Sequence, residues 1–216
     1  MNVSKECGVQ LIANLFPLLE GHESNLMEMY TPLFSSENPQ VRIIGAKYLQ
    51  VCFILWKPIA KNLKSKDEIG KLLELVYSDG GELEKIFALE ALSDYYEVNN
   101  NFTLTKFKHL SIINSWRINI KICDIASLIS DKITKAHFKL IFEPIYLKFM
   151  ISSEPELRAA SCKTLASVAK NMSEDELKSK FQPVLKKLAG DTTEFVKGTD
   201  PLIQCNFPTT LFLSPL

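Results

Sequence analysis

Three histidines, five cysteines and a few groups of carboxylates are the residues of this chain that could do chemistry. His22, His109 and His137 fall in different segments, and none has a second histidine four positions on or a cysteine two away. A zinc site needs three or four convergent ligands, so no metal is expected. Cys7, Cys52, Cys123, Cys162 and Cys205 are odd in number, far apart and without a CxxC pair, which reads as free thiols in a reducing, intracellular compartment. A catalytic cysteine wants a nearby histidine and an electropositive setting, and no candidate pair offers both. Glu154/Glu156 and Glu174/Asp175/Glu176 are grouped acids, but general-acid work needs burial to shift a pKa, and these sit in solvated turns and helix starts. Asp79-Gly80-Gly81-Glu82 is too short for a phosphate loop. GxGxxG, GxxxxGK[ST] and GxSxG are absent. The expectation is a protein that is not an enzyme and takes no cofactor.

The totals agree with a folded, non-catalytic chain. Of 216 residues, 46% are hydrophobic, enough for one or two domains or one short solenoid. Basic and acidic residues balance at 25 each, which argues against nucleic acid or an anionic membrane as partner, since both call for a concentrated basic excess. Met1 to Glu6 holds no apolar signal core, and no run approaches the ~20 apolar residues of a membrane span. Only 8 glycines and 10 prolines, with no strand-turn-strand rhythm, point to an all-helical chain.

A recurring phrase organises that chain. Glu154-Pro155-Glu156-Leu157-Arg158-Ala159-Ala160 has a Pro-containing turn, an apolar residue, a base and small residues, with Leu165 seven positions past the base. Asn38-Pro39-Gln40-Val41-Arg42 leads to Ala46 and Leu49, Glu82-Leu83-Glu84-Lys85 to Leu89 and Leu92, and Trp116-Arg117-Ile118-Asn119 to Cys123 and Ala126. Phe195-Val196-Lys197 is the last copy and Val3-Ser4 a weaker first one. The anchors at 4, 42, 85, 119, 158 and 197 are spaced by 38, 43, 34, 39 and 39 residues, near the roughly 40–47 residues of HEAT and armadillo units. The fold expected is therefore all-α: an α-α superhelix (solenoid) of about five HEAT repeats over residues 1–200, with partial first and last repeats.

Each repeat should hold a first (A) and a second (B) helix. Residues 1–15 read as the second helix of an incomplete repeat. Asn25 to Phe34 is an A helix and Val41 to Trp56 a B helix with Ile44, Tyr48, Val51, Cys52 and Leu55 inward; Pro58 closes it. Ser65-Lys66-Asp67-Glu68 reads as a capping box opening an A helix through Ile69, Leu72, Leu73, Leu75 and Val76. After the Ser78 to Gly81 turn, Glu84 to Val98 is a B helix with Phe87, Ala88, Ala91, Leu92 and Tyr95 inward. Asn99 to Asn101 breaks the chain, and Thr103 or Thr105 starts a short A helix to Ile113. Ile118 to Ile129 is the next B helix. Thr134 can cap a long A helix to Met150, and Ser173-Glu174-Asp175-Glu176 is a capping box for one from Glu174 to about Leu188. Pro144 and Pro183 lie 39 residues apart, each 14 before its anchor, and should kink these two A helices, a trait of HEAT units. The last B helix is broken at Gly198 and Pro201. Residues 201–216 carry no charge and three prolines, and read as an irregular apolar tail, either an altered chain end, a docking segment or an irregular cap.

What remains for function is a surface, because the A-to-B turns of a solenoid line up along one edge. Pro39, Arg42, Lys85, Ser115, Trp116, Arg117, Glu154, Glu156 and Arg158 are the candidate partner-binding residues. Trp116 in a polar turn is either an interface anchor or packing against the neighbouring repeat. Arg42 and Arg158 have a competing explanation as rungs of a ladder of salt bridges to acids in adjacent turns.

Several of these phrases, in order, resemble the structural (A) subunit of protein phosphatase 2A. Asn38-Pro39-Gln40-Val41-Arg42-Ile43-Ile44-Gly45-Ala46 is similar to that family's turn-Pro-x-Val-Arg-x-x-Ala-Ala phrase, and Asn114-Ser115-Trp116-Arg117-Ile118-Asn119 to its Lys-Ser-Trp-Arg-Val-Arg phrase. Lys132-Ile133-Thr134-Lys135 stands where the family has Ile-Thr-Lys, and Glu154 to Ser161 resembles Glu-x-Glu-Val-Arg-Ala-Ala-Ala. The match spans roughly residues 3–197. It departs at Asn119, which replaces a base, and at Lys85, which replaces arginine. The family has about fifteen repeats, and this chain resembles its N-terminal half. The resemblance implies a non-enzymatic scaffold that binds a regulatory (B-type) subunit, with the catalytic subunit a partner only if the chain is longer in the cell. It implies a cytoplasmic location, with the nucleus as a second. A HEAT adaptor of another assembly, in transport or translation, is the alternative.

Overall fold

The computed structural model describes residues 23–56 and 63–198. The expected helix over residues 1–15, the closure at Pro58 and the tail at 201–216 lie outside them. Every regular element among the described residues is helical, and the helices pack as an all-α helical repeat of the α-α solenoid class. The chain divides into two compact units, Met1–Thr105 and Lys106–Leu216.

In the first unit, α1 (Glu23–Phe34) pairs with α2 (Pro39–Trp56), and α3 (Leu63–Asp79) with α4 (Glu82–Tyr95). α1 lies beside α3 in one layer and α2 beside α4 in the other. The early part of α2 buries a different face from the expected one, while the side chains of Val51, Cys52 and Leu55 lie outside the described residues. Val41, Gly45, Ala46 and Leu49 are buried, whereas Ile44 and Tyr48 are half-buried. A Cβ on Gly45 would come within 3.1 Å of Phe34 Cε1, so the glycine is where α1 and α2 approach. On α4, Ala88, Leu89, Ala91, Leu92 and Tyr95 are buried, and Phe87 only half so. Tyr77 on α3 donates its hydroxyl to the Ala88 carbonyl at 2.6 Å, tying the pair through the core. Ser65 is not a helix cap, because α3 already begins at Leu63.

α5 (Asn100–Leu110) contains the division between the units. Its start lies upstream of Thr103. Asn99 caps it instead, accepting the Phe102 N–H on Oδ1 at 3.2 Å, the usual work of an N-terminal Asn.

The second unit repeats the pattern. α6 (Trp116–Leu128), α8 (Pro155–Ala169) and α10 (Glu194–Lys197) form one layer. Two composite helices form the other. α7 joins Lys135–His137, a π-helical turn Phe138–Phe142 and Glu143–Met150; α9 joins Glu174–Glu176, a π-helical turn Leu177–Phe181 and Gln182–Ala189. Thr134 caps α7, accepting the His137 N–H at 3.1 Å. Ser173 and Glu176 close their capping box on α9 with bonds of 3.2 and 3.0 Å.

The two prolines act through those π turns. An α-helical turn would press each proline ring onto the carbonyl four residues back. Here the Glu143 N–H bonds Phe138 O and the Gln182 N–H bonds Leu177 O, each five residues back. The widened turn ends two residues before the proline in both helices, at Phe142 before Pro144 and at Phe181 before Pro183. It also suits the apolar pattern. Phe138, Phe142, Tyr146 and Met150, with Ile141, Ile145 and Phe149, are all buried at four-residue spacing. That spacing drifts about 40° per step on an ideal α-helix, and the wider turn takes up part of the drift. Lys180 on α9 pairs with Glu143 on α7, joining the two at the bend.

Candidate interaction surface at the helix-pair turns

In the first unit, Arg42 lies in the first turn of α2 and points across to α4. Its Nε donates to Glu84 Oε1 at 3.0 Å, and its Nη1 to the carbonyls of Ser36 and Glu37 at 2.7 and 3.2 Å. Glu84 also accepts the Gly81 N–H that opens α4. Its carboxylate thus satisfies an orphan helix-end donor and a guanidinium together. Glu84 belongs to the Glu82-Leu83-Glu84-Lys85 turn phrase, yet it is buried, at 2% exposure. The recess lined by Phe34, Arg42, Val76, Gly80 and Glu84 has no room for a water-sized sphere. Pro39 is exposed as the first residue of α2, and Lys85 is half-buried on α4.

Arg158 repeats this arrangement in the second unit. Its Nη1 donates to the carbonyls of Ser152 and Ser153 at 2.8 and 3.1 Å, the residues six and five positions back, just as in Arg42. Nε and Nη2 grip Asp191 Oδ2 and Oδ1 at 2.8 and 2.9 Å, a bidentate fork. The Arg158 guanidinium, helped by the Thr193 N–H, holds the Asp191 carboxyl down at about 2. Asp191 reads in the sequence only as part of a helix-ending turn. Its signal was the Asp-x-Thr spacing of an Asx turn. Arg42 and Arg158 are therefore rungs that tie each turn to the next, with their heads engaged inside the fold.

Between α6 and α8 the rung is missing. Asn119 stands at the place of Arg42 and Arg158 and is 7% exposed, with its Oδ1 buried and without a hydrogen-bond partner. Ser152 stands at the place of Asp191, each three residues before the helix that follows. It accepts the Glu154 N–H on its hydroxyl at 3.1 Å, as Asp191 accepts that of Thr193. Base and acid are both replaced by small neutral groups in the one junction.

The same junction carries several of the turn residues singled out in the sequence. Ser115 caps α6, accepting the Ile118 N–H at 3.2 Å. Trp116 is half-buried, and the exposed Arg117 lays its guanidinium 4.3 Å from the ring centre, a cation–π contact. Glu154 and Glu156 are exposed at the head of α8, where the helix dipole favours acids. Ile112 and Ile151, which the sequence did not single out, are 68% and 69% exposed.

The buried polar groups of this unit belong to packing. Tyr146 donates its hydroxyl to Thr164 Oγ1 at 2.9 Å beside the Cys123 carbonyl. Cys123 and Cys162 are buried free thiols at equivalent places on α6 and α8. Burial, and then the Asp124 charge, push the Cys123 thiol well above its ordinary range, the setting of an inert thiol. Among the described residues, no three His, Cys, Asp or Glu side chains converge as metal ligands, and no helix is long and apolar enough to cross a membrane.

No family model matches this sequence, and no curated protein sequence matches it. Among solved structures, the crystal structure of an engineered protein is similar, with a TM-score of 0.59 and 13% identity over 93% of this chain and 88% of that one. At that identity the likeness concerns the fold alone.

Proposed function

We propose that this chain is a non-enzymatic scaffold of a protein phosphatase 2A-type complex, holding a regulatory (B-type) subunit through its A-to-B turns. The observation that carries the reading is the Trp116–Arg117 pair at the head of α6. A cation seated on an incompletely buried indole, in a turn capped by Ser115, is the kind of anchor that dominates protein interfaces. It falls in the phrase that most resembles the phosphatase scaffold. Glu154 and Glu156, exposed at the next turn, supply charges of the opposite sign. Pro39 and Ser115 contribute shape and Lys85 a further cation, while Arg42 and Arg158 hold the turns that present the others.

A helical-repeat adaptor of another assembly is the second reading. It is favoured by Asn119, where the resemblance calls for a base, and by the internal engagement of Arg42 and Arg158, which any helical repeat could use.

Affinity purification of the chain from its own cells, beside Trp116→Ala, tests the choice. Phosphatase regulatory subunits should be recovered and should drop about tenfold with the substitution. A folded bait that recovers neither regulatory nor catalytic subunits removes the phosphatase assignment and leaves the adaptor.

A further inference from the structure

We infer that the junction of α6 and α8 is a docking site for an amphipathic helix of another protein. That helix presents two apolar side chains seven residues apart, with an acid beside the first and a base beside the second on one flank.

Ile112 lies four residues before α6 and Ile151 four before α8, so they are the same position in adjacent repeats, and both are largely exposed. α6 and α8 pack side by side. They run parallel, because Asn171, just past the end of α8, donates to Ser130 O just past the end of α6. Packed neighbours stand 8–10 Å apart, so the two isoleucines, at equivalent positions one repeat apart, are expected about that far from each other. Two residues seven apart on a helix rise ~10.5 Å and share a face. A helix laid across the turns meets both with those two positions, the helix-on-surface mode of recognition.

Charge gives the second half of the specification. Arg117 is the second residue of α6 and Glu156 the second of α8, one repeat step apart like the isoleucines. They do not pair with each other: Arg117 lies on Trp116, and among the described residues Glu156 forms no salt bridge, although its charge acts on the nearby Arg158, which is itself clamped to Asp191. The missing rung between Asn119 and Ser152 leaves the heads of α6 and α8 without the clamp that Arg42 makes with Glu84 and Arg158 with Asp191. A cation over the α6 end and the anions of Glu154 and Glu156 over the α8 end therefore face outward as an ordered pair. Complementary charges of this kind set orientation and partner choice.

This inference takes from the scaffold reading only the idea that the turns dock a partner. Its test uses the purified full chain and a fluorescein-labelled, alanine-based helical peptide with leucines seven residues apart, glutamate beside the first and arginine beside the second. Both charges lie on one flank, so turning the helix end for end does not restore a match. By fluorescence anisotropy this peptide should bind about tenfold more tightly than the same peptide with its charges exchanged, or with leucines four apart. The double variant R117E/E156R, folded by circular dichroism, should reverse the preference, and Ile112→Asp should weaken binding of both charge forms. Equal binding of the charge forms, or no effect of Ile112→Asp, overturns the site. Charge-selective peptide binding with no phosphatase subunit recovered from cells keeps this site and removes the phosphatase assignment. Recovery of regulatory subunits with no peptide selectivity does the reverse.

Discussion

Asn119 is a short amide in a place shaped for a long base. An arginine there would carry its charge past the helix to the preceding carbonyls, as Arg42 and Arg158 do, but the asparagine leaves Oδ1 buried and unpaired. An unmade bond at a buried acceptor costs roughly 1–3 kcal/mol, and replacing it by an apolar group of the same shape removes that cost. Asn119→Leu should therefore stabilise the protein by about 1 kcal/mol in urea denaturation; a loss would mean the amide is held by something other than the side chains around it. Asp191 works in the opposite sense. Its carboxyl sits at about 2 in the folded chain, below the ~4 of an unfolded aspartate. Its contribution is complete above pH ~4 and disappears as pH falls through about 2. Asp191→Asn should lower Tm at pH 7 and have almost no effect near pH 2, followed by circular dichroism melts across that range. Such rungs were half legible. The arginines were visible from spacing, whereas their acids lie 42 and 33 residues away, at different places in the following turn, and no fixed period finds both.

Helices α7 and α9 show how a local rule is kept by bending another. The spacing of Pro144 and Pro183 told where a helix could not continue as an ideal α-helix, and predicted a kink. The structure meets that demand with a wider turn, because the four-residue apolar string through Phe138 and Phe142 gains from the same widening. Deleting the exposed Leu140 should tighten the turn toward α geometry and press Pro144 onto a carbonyl, a loss of about 3 kcal/mol. Combining the deletion with Pro144→Ala should recover most of it, as judged by denaturant midpoints; equal losses with and without the proline would detach it from the turn. Caps were read with mixed success for a reason of the same kind. Thr134 and Ser173 stand where apolar periodicity begins and do cap. Ser65 has the right neighbours but lies inside a helix that starts earlier, and Asn99, one of three consecutive asparagines, caps a helix that was expected to start only at Thr103 or Thr105.

Taken whole, the chain's repeat class was readable because burial repeats. Ala46, Leu89, Cys123 and Cys162, each four residues past an anchor, are all fully buried. The proposed binding surface was less readable, since Ile112 and Ile151 resemble ordinary helix-end residues until their exposure is known, and Glu84 resembles a surface acid until its partners are. Cys123 and Cys162 allow one more use of the packing. Sealed between α6 and α8 with a thiol that resists ionisation, Cys123 cannot meet an alkylating reagent until the second unit opens. Iodoacetamide should leave both cysteines unmodified in native buffer, and both should become labelled over one urea range when followed peptide by peptide in a mass spectrometer. Labelling of Cys123 ahead of Cys162 would instead time a partial opening, in which α6 leaves α8 before the rest of the unit gives way. The two sulfurs make the protein its own stopwatch.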